Sequence, residues 1–147
     1  DKKWGGAYLT KHFFYLINEK MRDKILLVVA KQNNIIIAAA LNFIGQNTLF
    51  GRNWGTLVDI PFLHFELCYY QAIEFAIEHN IKKVEAGAQG HHKIQRGYIA
   101  TSTYSSHYIG NEFFSSAIKN FVKMEEKEVN KQIEIINTQG TPYSNKD

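Results

Sequence analysis

The sequence predicts an α/β (α+β) domain: a mixed, mostly antiparallel sheet flanked by helices. Three observations predict it. Two β-rich runs, 25–31 and 35–44, are separated only by Gln32-Asn33-Asn34, and Asn tolerates the left-handed conformation that a tight hairpin demands. A long apolar run at helical spacing, 62–79, follows a third strand-like run at 48–54. A short apolar run, 82–86, comes after that helix, and a helix between two strands implies a crossover rather than a pure meander.

The elements follow in order. Residues 1–8 carry a Gly-Gly pair and no periodicity, so they read as irregular, with Trp4 seeking burial. Thr10 reads as the N-cap of a helix of about three turns with Phe13, Phe14, Leu16, Ile17 and Met21 on one broad face. In the second strand the nearly continuous run from Ile35 to Ile44 has alanines midway, as a central strand covered on both faces would. Asp59 and Pro61 read as the start of the long helix, which Asn80 ends. Its stripe is Phe62, Phe65, Tyr69, Ala72, Ile73, Ala76 and Ile77, with Glu66 on the same side. Residues 99–109 read as a fifth strand. Asn111 caps a last helix that turns Phe113, Phe114, Ala117, Ile118, Phe121 and Val122 inward and continues, more polar, beyond Lys123. Residues 1–137 read as one domain, and 138–147 as a disordered tail.

The totals bound the function. A chain of 147 residues with 45% hydrophobic and 21% charged residues can build a real core. A net charge of +3 falls short of the basic patch that a DNA-binding domain needs. The single cysteine, Cys68, excludes an internal disulfide and points to a reducing, cytoplasmic setting. There is no run of eighteen apolar residues to span a membrane.

The richest stretch is 84–98, Val-Glu-Ala-Gly-Ala-Gln-Gly-His-His-Lys-Ile-Gln-Arg-Gly-Tyr, where a strand enters a glycine-punctuated loop crowded with ionisable and amide side chains. Gly87 and Gly90 let a backbone approach a ligand, and amides there, with Gln89, could hold an anion. Lys93 and Arg96 add positive charge one helical turn apart. An ordinary surface loop would carry the same glycines and bases. Glu85 and Glu66 are the candidate general bases, against a plain salt-bridged role for Glu66 with Arg52 or Lys93. Either His91 or His92 could act near neutral pH, but adjacent residues point apart, so at most one faces substrate. Tyr98 is the first choice among the tyrosines as a proton donor. A metal site from His64, Glu66, Glu85 and His91 has no coordination spacing to specify it, so no metal is assigned. Ser105-Ser106-His107 lacks a nucleophile elbow.

The element order resembles the central part of a GNAT-type acyltransferase fold whose first strand and helix would lie upstream. The chain opens on Asp1 and so reads as the C-terminal part of a longer protein. Three segments carry a closer resemblance: Gly51-Arg52-Asn53-Trp54-Gly55, the run from Leu63 to Ile73, and the run from Val84 to Gly90. They resemble, over roughly residues 4 to 125, a GNAT-like bacterial family described as peptidoglycan biosynthesis or recognition, related to the Fem peptidoglycan-bridge aminoacyltransferases. The resemblance implies transfer of an acyl or aminoacyl group to an amine. The donor would be an acyl-coenzyme A or an aminoacyl-tRNA, and the acceptor a muropeptide or other small molecule. Gly55-Thr56-Leu57-Val58-Asp59-Ile60-Pro61-Phe62 stands where the acetyltransferases carry their glycine-rich pyrophosphate loop, which argues against coenzyme A. Arg52 and Trp54 would end the third strand where such a sheet splays, Arg52 meeting ligand charge and Trp54 walling the cleft. The alternative is a non-catalytic module recognising a cell-wall precursor or a protein. Oligomeric state is open, a homodimer included.

Overall fold

The computed structural model describes residues 9–87 and 90–140, and of His91 the backbone alone. The chain divides into two compact units, Asp1–Gly87 and Ala88–Asp147.

In the first unit α1 (Lys11–Lys20) opens on Thr10, whose hydroxyl accepts from the Phe13 N–H at 3.4 Å. Of its expected broad face only Ile17 is buried; Phe14, Leu16 and Met21 stay exposed, so the helix seats along a narrow line. After a 3-10 turn (Arg22–Lys24) come β1 (Ile25–Gln32), β2 (Ile35–Ile44) and β3 (Thr48–Thr56). Both turn residues of the first hairpin, Asn33 and Asn34, have positive φ (49° and 63°), the pair of signs that a type I′ turn requires. The sheet order is β1-β2-β3-β4, with antiparallel pairs up to β3 and a parallel pair between β3 and β4 (Lys83–Glu85).

The crossover between β3 and β4 is a broken helix: α2 (Leu63–Phe65), a π-helical turn (Glu66–Tyr70) and α3 (Gln71–Glu78). It starts later than Asp59 and Pro61 suggest. Phe62 takes the left-handed conformation (φ 67°), and its carbonyl accepts from the N–H groups of Phe65 (2.9 Å) and Glu66 (3.2 Å). Asn80, at φ 55°, ends it as expected. The π turn inserts an extra residue, so positions before and after it do not share one 3.6-residue stripe. The buried line is Leu67, Tyr69, Ala72 and Ala76. Leu67 meets Ala38 and Ala40 of β2 in the main core cluster, with Val28, Ala30, Trp54, Leu63 and Cys68 packed around them.

In the second unit a 3-10 helix (His91–Arg96) is bracketed by Gly90 (φ 114°) and Gly97 (φ 89°). The expected fifth strand is absent. Residues 98–111 are irregular, with Tyr104 and Tyr108 almost fully exposed. Five hydroxyl-bearing Ser and Thr residues between 101 and 106 offer the backbone local partners and leave no apolar face to bury, which removes the advantage of pairing as a strand. The segment is tied instead to α4 (Glu112–Gln139), where Asn137 accepts from the Ala100 N–H and donates to the Ala100 carbonyl, both at 2.8 Å. Asn111 caps α4 by accepting from the Phe114 N–H at 2.9 Å. Phe113, Phe114, Phe121 and Val122 are exposed rather than inward. One irregular strand of chain beside one helix cannot cover a helix face, and the half-buried positions lie mainly near Ile133, Ile136 and Asn137. The helix runs to Gln139, two residues into the segment read as tail; Trp4, Ala88 and residues 141–147 lie outside the described residues.

Candidate functional site

The first unit contains a fork between β3 and β4. The parallel ladder has three pairs, Thr48 with Lys83, Leu49 with Val84 and Phe50 with Glu85. Two irregularities end it. On β3 the register against β2 slips, so that Leu41 faces Asn53, Asn42 faces Gly51, and Arg52 is the extra residue of a β-bulge. On the other side Gly87 takes φ 84°, a conformation open to glycine, just past β4. Gly51 sits at the crotch. A side chain there would lie 3.3 Å from the Glu85 carbonyl oxygen, 3.6 Å from Asn42 Oδ1 and 3.7 Å from the Ala86 Cα, so its absence lets the end of β4 close onto β3. Past the crotch, no described strand pairs with the outer edge of β3 over residues 51–56.

The two faces of this open edge differ. On the helix-facing side Trp54 packs edge-on against His64 (ring centroids 5.4 Å apart), and His64 in turn meets Phe65 (5.6 Å) and Tyr69 (5.4 Å). Asn42, nearly fully buried on the same side, donates to the carbonyls of Leu26 (3.5 Å) and Ala40 (3.4 Å). On the opposite face Asn53 carries a buried Oδ1 with no hydrogen-bond partner among the described residues. Two residues on, and so on that same face, Gly55 has nothing within 4 Å of where a side chain would begin. An acceptor left without a partner costs about 1–3 kcal/mol.

The predicted residues distribute between the units. Glu85 occupies the last rung of β4, opposite Phe50, and is solvent-exposed. Glu66 was expected to face the core and does not: the π turn moves the buried line to Leu67 and Tyr69, and Glu66 lies exposed, accepting from Gln71 Nε2 at 2.9 Å while that amide also donates to Glu74 (3.0 Å). Arg52 stands exposed at the bulge, and Trp54 is half-buried beside it on the aromatic cluster.

Gly90, Lys93, Arg96 and Tyr98 belong to the second unit. In a 3-10 helix side chains three apart eclipse, which puts Lys93 and Arg96 on one face. Arg96 is fixed by donating through Nη1 to the His92 carbonyl, and the Tyr98 N–H donates to the Lys93 carbonyl at 3.2 Å. Desolvation lowers the pKa of the half-buried Lys93 ammonium below its ordinary value. Gln89 and the His91 side chain lie outside the described residues. Among the described residues no three metal-ligating side chains come together, and no helix is long and apolar enough to cross a membrane.

Sequence reasoning took Arg52 and Trp54 from Gly51-Arg52-Asn53-Trp54-Gly55 but passed over Gly51, Asn53 and Gly55. Two glycines four apart inside a strand were the available signal, since glycine in a strand marks a bulge or a close backbone approach.

No curated protein and no solved structure matches the chain. One family model does, over residues 1–145, and its description is peptidoglycan biosynthesis/recognition. With nearly the whole length matched and a four-stranded mixed sheet crossed by a helix behind it, the chain belongs to this FemAB-like family.

Proposed function

We propose that the chain transfers an acyl or aminoacyl group to an amine of a peptidoglycan precursor, and that the acceptor lies extended along the open edge of β3. The observation that carries this reading is the fork: a strand that loses its neighbour after Phe50, with an edge beyond it that no described strand covers and an open Gly55 position. An extended peptide adds to such an edge by main-chain hydrogen bonds, and that holds a nucleophilic amine in one place.

Glu85, at the point where the strands part, is better placed than Glu66 to take the proton from the attacking amine. At the fork itself Arg52 and Trp54 contact the substrate; in the second unit, taken by itself, Lys93 and Arg96 share one face of the 3-10 helix, which suits an anion. The donor is an aminoacyl ester carried on tRNA in preference to a coenzyme A thioester, because the β3–α2 connection offers Leu57, Val58, Ile60 and Phe62 where a pyrophosphate would need glycine amides.

The test is product analysis by mass spectrometry, with a muropeptide acceptor and either aminoacyl-tRNA or acyl-coenzyme A as donor. The expected result is an amide-linked aminoacyl product that Glu85→Gln abolishes; no product with either donor overturns the transferase reading. One observation favours a second reading, a recognition module without catalysis: both candidate carboxylates are solvent-exposed, which binding alone tolerates. That reading predicts muropeptide binding that survives the double change Glu66→Ala and Glu85→Ala.

A further inference from the structure

The backbone of β3 fixes which groups its open edge presents. The Leu57 N–H donates to the Ile37 carbonyl at 2.8 Å, in line with the pairs Ala38–Thr56, Ala39–Gly55, Ala40–Trp54 and Leu41–Asn53. Hydrogen-bonded and non-hydrogen-bonded pairs alternate along an antiparallel ladder, so Asn53, Gly55 and Leu57 exchange bonds with β2 while Trp54 and Thr56 do not. The N–H and C=O groups of Trp54 and Thr56 therefore point away from β2, to the side where no described strand lies. Set two residues apart, they offer an extended peptide the donors and acceptors of one more strand.

The two faces beside that edge are unlike. Side chains alternate along a strand, so Trp54 and Thr56 stand on the helix-facing side and Asn53 and Gly55 on the other. On the helix-facing side the Trp54 indole, packed edge-on against His64, stands next to any residue that pairs with Trp54. On the other side Gly55 is exposed, with nothing within 4 Å of where its side chain would begin. The edge is thus walled on one face and bare on the other.

An all-L peptide on this edge sets every second side chain on the walled face. Inverting alternate α-carbons moves those side chains across the backbone, so an extended chain that alternates L and D residues carries all of them on one face. The stem peptide of peptidoglycan alternates in this way over most of its length, and peptidoglycan is the material named for the family. We propose that the fork reads this stereochemistry. Gly55 clears the face that receives the side chains of an L,D-alternating peptide, and Trp54 closes the face that an all-L peptide also needs. The selection rests on β3 being the docking edge of the acceptor, and it makes Gly55 and Trp54 the residues that set specificity there.

The test is isothermal titration calorimetry of the whole chain with a synthetic peptidoglycan stem peptide and with its all-L diastereomer. The two share composition, length and charge, so a difference between them is stereochemical. The expected result is an affinity at least about tenfold higher for the alternating peptide, the size of effect that one ill-fitting group produces. Gly55→Val should lower the affinity for the alternating peptide at least about tenfold. It should keep the thermal midpoint, since the position has room for a side chain and valine favours a strand; were it to unfold, Gly55→Ala carries the comparison. Equal affinity for the two peptides, a preference for the all-L one, or a preference that the Gly55 variant leaves intact overturns the stereochemical selection but not docking as such. Binding of neither peptide overturns both.

Discussion

Replacing Leu49 by alanine tests whether the fork is anchored as described. Leu49 is 0% exposed and sits on β3 between Ile44 of β2 and Val84 of β4, the middle rung of the three-pair ladder. Truncating a fully buried leucine loses its transfer free energy and leaves a cavity, together about 2–5 kcal/mol. For a chain of this length each kcal/mol moves the thermal midpoint by roughly 2–4 °C, so a loss near 3 kcal/mol lowers it by about 6–12 °C. Its neighbour Phe50 supplies the control. It points to the other face and is 41% exposed, so Phe50→Ala should cost about half as much or less. The assay is urea unfolding followed by tryptophan fluorescence, both tryptophans belonging to the first unit, with the slope unchanged if only stability is lost. A cost below about 1 kcal/mol for Leu49→Ala, or an equal cost for Phe50→Ala, would refute this placement of the core and with it the closed end of the fork.

Three further outcomes follow from single groups. Asn53→Leu removes the orphaned buried acceptor, so stability in urea unfolding should hold or rise by up to about 1 kcal/mol; a destabilisation above about 2 kcal/mol would mean the acceptor is satisfied in the folded chain. Asn34→Gly relieves a non-glycine residue of its positive φ and should stabilise by a few tenths to about 1 kcal/mol in thermal melts, whereas Asn34→Val should destabilise. Lys93 binds its proton less tightly in the folded chain than in the unfolded one, so between its lowered pKa and 10.5 the unfolded state holds more protons. Stability should therefore rise with alkaline pH across that window, relative to a Lys93→Met variant whose curve lacks this contribution; parallel curves would remove the effect.

What the sequence made legible was local chemistry. The Asn33-Asn34 hairpin, the caps at Thr10 and Asn111, the helix end at Asn80 and the crossover between β3 and β4 all depend on one or two residues with a strong backbone preference. What it hid was register. A bulge at Arg52 and a π turn at Glu66–Tyr70 each add one residue without a residue type that demands it, and each redirects every side chain beyond it. Glu66 opens the π turn on the exposed side while Leu67 and Tyr69 take the buried line, and past the bulge Asn53 came to hold a buried, unpartnered oxygen. The fifth strand failed for the opposite reason. The run from Thr101 to Tyr108 has β-prone residues but no apolar face, and β propensity without one does not make a strand. The motif from Val84 to Tyr98 was found as a motif, yet it straddles the two units, with Glu85 and Gly87 in one and Lys93, Arg96 and Tyr98 in the other.

The measurement that tests the central claim most directly is amide chemical-shift mapping of the ¹⁵N-labelled chain during titration with a muropeptide. If the acceptor lies along the open edge of β3, the amides of Gly51, Arg52, Asn53, Trp54 and Gly55 should shift together with saturation, those whose N–H points to the open edge should slow in hydrogen exchange, and Gly55→Val should abolish the response. Saturable binding that leaves those five amides unmoved would contradict the account.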